Sequence, residues 1–156
     1  DYSESEYINS QTPMKIICLK HGAFWQVPIY HMLGSGCPIC NESKGEHKIR
    51  IFLTKNNISF EKEKRFDDCK YKYTLPFDFY IPKYNLCIEF DGIQHYVPTD
   101  FSSKMTNLQK LENLKLVQLR DKIKTDYCKS HNINLLRIKY DEDVEEKLIE
   151  CFQNIE

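Results

Sequence analysis

The segment from Pro76 to His95, PFDFYIPKYNLCIEFDGIQH, constrains the fold most, because it has the pattern of two β-strands joined by a tight turn. The turn falls on Pro-Lys-Tyr-Asn, and counting back from it pairs Ile81 with Leu86 and, further out, Asp78 with Glu89. Residues that face each other across two antiparallel strands share one face of the sheet and lie about 4.5–5.5 Å apart. The sequence therefore predicts two carboxylates side by side on one face of a hairpin.

Asp91 extends this group of acidic residues. Side chains alternate along a strand, so Asp91 is expected on the same face as Glu89. Three convergent carboxylates repel one another unless a cation lies between them. We therefore expect Asp78 and Glu89 to bind Mg²⁺ directly, with Mn²⁺ able to substitute, in the manner of a metal-dependent phosphodiesterase.

His95 follows the acidic strand and is the natural proton carrier. An imidazole has an ordinary pKa near 6.5, which makes His95 a candidate general base or leaving-group acid. It could instead simply close the end of the strand. Asp91 could orient His95 or bind a second ion, and the Asp91-Gly92 pair also fits ordinary turn chemistry.

Two pairs of metal-ligand residues precede the hairpin. Cys18 and His21 are separated by two residues, as are Cys37 and Cys40, and fifteen residues lie between the pairs. Zinc prefers tetrahedral sites of thiolate and imidazole, and closely spaced pairs supply two ligands from each turn. The spacing therefore predicts a closed, structural zinc site.

The surroundings of these pairs indicate a treble-clef finger. The first pair lies on an expected hairpin of residues 14–19 and 23–29, and the second leads into a helix. We therefore expect a zinc-finger module in residues 1–43 and a second domain in residues 44–156.

The helix after the second cysteine pair offers a further acid. Ser43 and Glu46 have the form of a capping box, in which Glu46 reaches back to the Ser43 amide. Glu46 also precedes Ile49 by three residues and Leu53 by seven, along the apolar stripe of the helix. It could therefore serve as a cap, or join the metal site or a proton transfer.

The remaining elements follow from apolar periodicity. We expect a strand over 58–66, a partly helical Leu-rich segment that includes Leu108, a helix over 120–130, a strand over 135–140 and a last helix capped by Asp141. Lys124 on the helix over 120–130 could reach a phosphate or simply face the solvent.

The charge distribution is uneven although the formal net charge is only −1. Residues 44–72 and 104–129 each carry a net charge of +4, and residues 141–156 carry −6. Basic segments on both sides of the acidic hairpin suit a polyanion such as DNA. The candidate contacts are Lys44, Lys48, Arg50 and Lys122, although such residues could equally solvate helix faces.

Cysteine usage and hydropathy limit the class of protein. Seven cysteines, an odd number, argue against a disulfide framework and favour an intracellular, reducing location, either the cytoplasm or a host nucleoid or nucleus. No apolar run approaches the roughly 20 residues of a membrane span, and no signal-peptide pattern is present. Because the first residue is Asp1, we expect the chain to be a piece of a longer protein.

These motifs together resemble the PD-(D/E)xK nucleases, and more narrowly the branch of the very short patch repair endonuclease and the EDxHD phage homing endonucleases. The resemblance is carried by Glu46, PFDF around Asp78, EFDGIQH from Glu89 to His95, and RDKIKTDYC followed by NLLRI. The segment through GCPIC is similar to treble-clef units joined to such nucleases in phage and giant-virus proteins.

The resemblance implies an α+β protein, with a treble-clef finger followed by a restriction-endonuclease-like α/β core of a mixed sheet flanked by helices. It further implies a Mg²⁺-dependent DNA endonuclease of homing type with Zn²⁺ in the finger. The signature expects lysine where this chain has Asp91; relatives in this branch use acidic residues and histidine instead, and Lys124 could stand in. A non-catalytic nucleic-acid-binding module on the same scaffold, or a repair or RNA nuclease of the same fold, remains an alternative.

Overall fold

The computed structural model describes residues 1–100 and 104–155. The chain divides into two compact units, Asp1–His47 and Lys48–Glu156. Within the described residues, none of the helices combines the length and the apolar character that crossing a membrane requires.

The first unit contains a β-hairpin and a short helix. Its elements are β1 (Met14–Cys18), β2 (Gly22–Gln26), α1 (Pro28–Met32) and the start of α2 (Lys44–Lys55). β1 and β2 pair antiparallel, and the φ of 78° at Gly22 suits the tight turn between them. The predicted hairpin is confirmed, but its second strand ends before Ile29, because the fixed φ of Pro28 starts α1 there.

The second unit is built on one four-stranded sheet. Its further elements are β3 (Glu61–Lys70), β4 (Thr74–Ile81), β5 (Leu86–Asp91), α3 (Asn107–Ser130), β6 (Asn134–Lys139) and α4 (Val144–Ile155). The strand order is β3-β4-β5-β6, and only the β5/β6 pair is parallel. The predicted α+β architecture with a mixed sheet flanked by helices is therefore confirmed.

The hairpin of β4 and β5 has the predicted register. Ile81 lies opposite Leu86, and the pairing continues outward to Phe79 opposite Ile88. A single 3-10 turn precedes Asn85, whose φ of 45° falls in the left-handed region that asparagine tolerates. The Asn85 side chain accepts a hydrogen bond from the Tyr80 hydroxyl and donates one to the Asn132 carbonyl, both of 3.0 Å. This turn fixes the register that brings Asp78 beside Glu89.

Apolar layers cover both faces of the sheet. On one face, strand residues such as Phe79 and Ile88 pack against α2 and α4 through Leu53 and Leu148, all of them fully buried. On the other face, Cys87 packs with Cys128 of α3, in a cluster that also includes Phe77. By strand alternation Glu89 and Asp91 share the Cys87 face, so α3 covers the acidic residues.

The limits of β3 differ from the predicted strand over 58–66. The Ile58 amide donates to the Leu53 carbonyl at 2.9 Å and terminates α2, so pairing starts only at Glu61 and continues to Lys70. The apolar residues Ile58 and Phe60 pack on the core without belonging to the strand.

Two helices also start at residues other than those predicted. The Leu-rich segment and the helix expected from residue 120 form one helix, α3, which begins at a capping box of Thr106 and Gln109. Asp143 caps α4, because its carboxylate accepts a 2.9 Å hydrogen bond from the Glu146 amide. The cap predicted at Asp141 is therefore wrong, and Asp141 instead pairs with Lys139.

Candidate functional site

Cys18, His21, Cys37 and Cys40 converge in the first unit, and their ligand atoms all lie within 4.8 Å of one another. Cys18 Sγ lies 3.7 Å from Cys40 Sγ and 3.7 Å from His21 Nδ1, and His21 Nδ1 lies 3.6 Å from Cys37 Sγ and 3.3 Å from Cys40 Sγ. With bonds of about 2.3 Å to sulfur and about 2.0 Å to nitrogen, a tetrahedral zinc ion requires S···S edges of about 3.8 Å and S···N edges of about 3.5 Å. The cluster could therefore hold a metal ion such as zinc.

The backbone around the first pair favours a thiolate at Cys18. Hydrogen bonds from the backbone, first from the Lys20 amide and then from the His21 amide, contribute to lowering the pKa of Cys18 to about 6. Amide donors at a sulfur stabilise the deprotonated ligand that a metal ion needs.

Asp78 and Glu89 lie together where β4 and β5 separate. The Glu89 carboxylate accepts a hydrogen bond from the Asp78 amide at 3.2 Å, and the Asp78 carboxylate accepts one from the Phe90 amide at 2.8 Å. Beyond the Phe79 and Ile88 pair, the carboxylates of Asp78 and Glu89 thus accept the hydrogen bonds that backbone carbonyls accept elsewhere between the two strands. Both carboxylates are held by the backbone of the opposite strand.

Lys124 reaches this acid pair from α3. Its ammonium group lies 2.7 Å from Glu89 Oε2, and both side chains are almost fully buried. Burial first and the negative charge of Asp78 second raise the pKa of Glu89 to about 7, against the opposing effect of Lys124. Lys124 does not face the solvent, which was one of the two possibilities the sequence left open.

Asp91 takes part in a different contact from its neighbour Glu89. Arg137 on β6 binds it with two hydrogen bonds, 2.8 Å from Nε to Oδ2 and 2.5 Å from Nη2 to Oδ1. The Tyr96 hydroxyl donates to the same carboxylate at 3.1 Å. A carboxylate held by a guanidinium fork is neutralised by the protein itself, so Asp91 does not add an unpaired charge to Asp78 and Glu89.

Asp121 on α3 links this ion pair to His95. Its carboxylate lies 2.9 Å from Arg137 Nη2 and 2.7 Å from His95 Nδ1, while His95 Nδ1 lies 3.7 Å from Asp91. These side chains line an open pocket of about 290 Å³. Asp91, His95 and Asp121 also satisfy the spacing of a metal site, but the contacts of Arg137 with both carboxylates make an ion pair network the simpler arrangement.

The charges in this network favour a protonated His95. Burial alone would lower the pKa of His95, but the hydrogen bond and charge of Asp121, together with the charge of Asp91, outweigh burial and raise it. For Asp121 burial would raise the pKa, but the hydrogen bonds from His95 and Arg137 lower it. Asp121 therefore holds the imidazole of His95 through Nδ1, and Nε2 takes no part in that contact.

One family match falls on the first unit. Residues 1–41 match the family model described as "Protein of unknown function (DUF723)". No curated protein and no solved structure matches the chain. The matched segment contains all four residues of the cysteine and histidine cluster and ends before α2.

The other predicted site residues lie on α2 and α3. The Glu46 amide donates to Ser43 Oγ at 3.1 Å, as expected for a helix cap, and the Glu46 side chain is half-buried. Lys44 and Lys48 are exposed and Arg50 is half-buried. Lys122 is exposed and pairs with Asp126 at 2.5 Å. A role of Glu46 in catalysis and of the basic residues in DNA binding stays a prediction.

Sequence reasoning missed Asp121, Arg137 and Tyr96 as members of the polar network. Asp121 and Arg137 lie within the RDKIKTDYC and NLLRI motifs but were not selected individually. The available signal was Arg137 between the apolar residues Leu136 and Ile138, because a charge that enters a sheet needs a partner.

Proposed function

We propose that the chain is a metal-dependent endonuclease that hydrolyses phosphodiester bonds in DNA. The observation that carries the proposal is the pair of carboxylates, Asp78 and Glu89, held together between two strands with the buried ammonium group of Lys124 beside them. Two acids and one lysine at the end of a sheet can bind a hard cation and a phosphate at the same place.

The residues fit Mg²⁺ or Mn²⁺. The site offers carboxylate oxygens, the ligands that hard cations prefer, and the raised pKa of Glu89 records burial first and then crowding by the Asp78 charge. When bound, such an ion polarises a phosphate and lowers the pKa of a water molecule. Asp78 and Glu89 would hold the ion, and Lys124 would stabilise charge on the phosphate in place of the signature lysine, whose position is occupied by Asp91 in this chain.

His95 supplies the proton for the leaving group in this proposal. The attacking water forms a bond to phosphorus and releases a proton to the solvent, while the bond from phosphorus to the leaving sugar oxygen breaks. That oxygen takes a proton from His95, which then recovers one from the solvent. Asp121 orients the imidazole, and Arg137 fixes Asp121 and Asp91. Glu89 of the acid pair and Asp91 of the His95 network lie two residues apart on one face of β5, about 7 Å along the strand. The acid pair and the His95 network are therefore neighbours.

The first unit would be a treble-clef finger with a structural zinc ion. The fit of the four ligand distances to a tetrahedron supports zinc, and a closed set of four protein ligands supports a folding role. The basic residues Lys44, Lys48 and Lys122 would contribute contacts to DNA phosphates.

A non-catalytic nucleic-acid-binding module is the second candidate. Lys124 and Arg137 already neutralise Glu89 and Asp91, so the fold does not require a divalent cation at the carboxylates. A binding protein on this scaffold would bind DNA equally well with and without Mg²⁺.

Plasmid cleavage tests the proposal. The wild-type protein is incubated with supercoiled plasmid, single-stranded DNA and RNA in the presence of Mg²⁺ or Mn²⁺, beside the near-isosteric variants Asp78→Asn and Glu89→Gln. We expect the wild type to nick or linearise the plasmid. In both variants the cleavage rate should fall by more than the roughly 10–100-fold that is typical when a residue that only supports a metal ligand is replaced. The matched control is Asp126→Asn, an exposed carboxylate on α3, which should cut like the wild type.

Three outcomes would contradict the DNA endonuclease proposal. A wild-type protein that binds but never cuts any substrate favours the binding module. Cleavage confined to RNA favours the RNA nuclease. Cleavage that persists undiminished in both carboxylate variants places the chemistry elsewhere.

A further inference from the structure

The part of α3 from its start to Leu119 is apolar on two opposite sides. On one side, Leu114 and Val117 face Val97 and Met105 across a cavity of about 400 Å³. On the other side Leu108, Leu111 and Leu119 are 66%, 46% and 43% exposed. A surface helix normally has one apolar stripe, directed at the core.

The exposed leucines form a continuous stripe with two charged residues. Leu108, Leu111, Glu112, Lys115 and Leu119 follow the i, i+3, i+4, i+7, i+11 spacing of one helix face. We call these five residues the leucine stripe. Single exposed leucines are ordinary, whereas three on one helix face mark an interaction surface.

The order of charges on the leucine stripe is self-complementary. Leu108 precedes Glu112 by four positions, and Lys115 precedes Leu119 by four positions. If two copies of α3 pack antiparallel with Glu112 of one copy against Lys115 of the other, Leu108 of the first therefore meets Leu119 of the second. A twofold axis repeats both contacts, as an isologous dimer requires.

A parallel arrangement in register has no such match. It would place Glu112 against Glu112 and Lys115 against Lys115, and like charges in contact are unfavourable. Neither Glu112 nor Lys115 has an ion-pair partner within residues 1–100 and 104–155. Their charges are thus available to select the antiparallel pairing, while the leucines provide the apolar area.

We infer that the leucine stripe is the interface of a homodimer in which two copies of α3 pack antiparallel. The stripe lies opposite the face of α3 that carries Asp121 and Lys124, since those residues lie about 13 and 16 residues after Leu108 and so on the far side of a helix with 3.6 residues per turn. Pairing through the stripe therefore does not involve the face of α3 that carries Asp121 and Lys124. The inference does not depend on the proposed nuclease activity.

Charge swapping in the 156-residue chain tests this dimer. Analytical ultracentrifugation over a wide concentration range should give the wild type twice the chain mass of 18.6 kDa. Glu112→Lys and Lys115→Glu should each raise the dimer dissociation constant on the order of tenfold, because each change removes two attractions and creates two repulsions. The double swap should restore it, and circular dichroism should show all variants folded.

Leu111→Glu and Ile149→Glu form the matched pair for the apolar contact. Both side chains are similarly exposed, at 46% and 43%, but Ile149 lies on α4. We expect Leu111→Glu to be a monomer and Ile149→Glu to remain a dimer. A wild type that is monomeric at every concentration, a dimer that Leu111→Glu leaves intact, or a double swap that stays as weak as the single swaps would overturn the inference.

Discussion

The contact between Lys124 and Glu89 gives the most direct test of how the candidate site is held. Breaking a buried ion pair by removing one partner costs about 3–5 kcal/mol, because the other charge is left unpaired in the interior. Glu89 is only 3% exposed and Lys124 9%, so the substitution Lys124→Met should approach that range whenever Glu89 is ionised.

The cost should depend on pH in a defined direction. Burial, followed by the Asp78 charge, raises the pKa of Glu89 to about 7 in the folded protein, above its ordinary value. The folded state therefore binds this proton more tightly than the unfolded state, and stability declines by about 3 kcal/mol as pH rises from the ordinary pKa of glutamate to about 7. Lys124 opposes the rise, so its removal raises the pKa of Glu89 further and extends the decline to higher pH.

Urea denaturation followed by circular dichroism, with zinc present and no other divalent cation, measures the effect. We expect Lys124→Met to lie within about 1 kcal/mol of wild type near pH 5, where Glu89 is protonated. Near pH 8.5, about 1.5 units above the wild-type pKa of Glu89, the variant should lose about 2 kcal/mol more, because without Lys124 it keeps Glu89 protonated, and the full cost is reached only at higher pH. The control is Lys122→Met, whose side chain is 71% exposed and pairs only with Asp126, and which should change stability by a few tenths of a kcal/mol at both pH values. An equal loss for Lys124→Met at both pH values would refute the assigned role of Glu89.

Three further substitutions test the polar network and the metal cluster. In Asp121→Asn the pKa of His95 should fall, because the hydrogen bond and charge that offset burial are lost; NMR titration of the ring protons measures it, and Asp126→Asn serves as the control. An unchanged His95 titration would show that Asp121 does not hold the imidazole. Cys37→Ser and Cys40→Ser should each abolish zinc binding, as measured by elemental analysis, and destabilise the first unit. Cys151→Ser should do neither. Zinc retained at full occupancy in both ligand variants would exclude the cluster as its site.

The parts of the structure that depend on local pattern could be predicted from sequence. The Pro-Lys-Tyr-Asn turn limits the loop between two apolar strands, so the pairing of Ile81 with Leu86 follows, and with it the approach of Asp78 to Glu89. The cysteine and histidine pairs were equally accessible, because their spacing is itself the geometric requirement of the metal.

The parts that depend on distant pairing could not be predicted in the same way. Arg137 reaches Asp91 across 46 residues, and Asp121 reaches His95 across 26. These contacts depend on the parallel register of β5 with β6 and on where α3 docks, neither of which leaves a local pattern. The start of α3, by contrast, does have a local signal in the sequence, the capping box of Thr106 and Gln109. The prediction missed it because it relied on the leucine periodicity alone.

The length of α3 connects the candidate site with the inferred dimer. Its 24 residues span about 36 Å, whereas the six residues of β5 span about 20 Å. The second half of the helix is enough to bring Asp121 and Lys124 over the acidic strand and to bury Cys128. The first half extends beyond what β5 can cover, yet its sequence keeps leucines on the side away from the cavity. Because apolar area at that position gains nothing from the protein's own sheet, a second copy of the same helix is the partner that its leucine spacing and charge order fit.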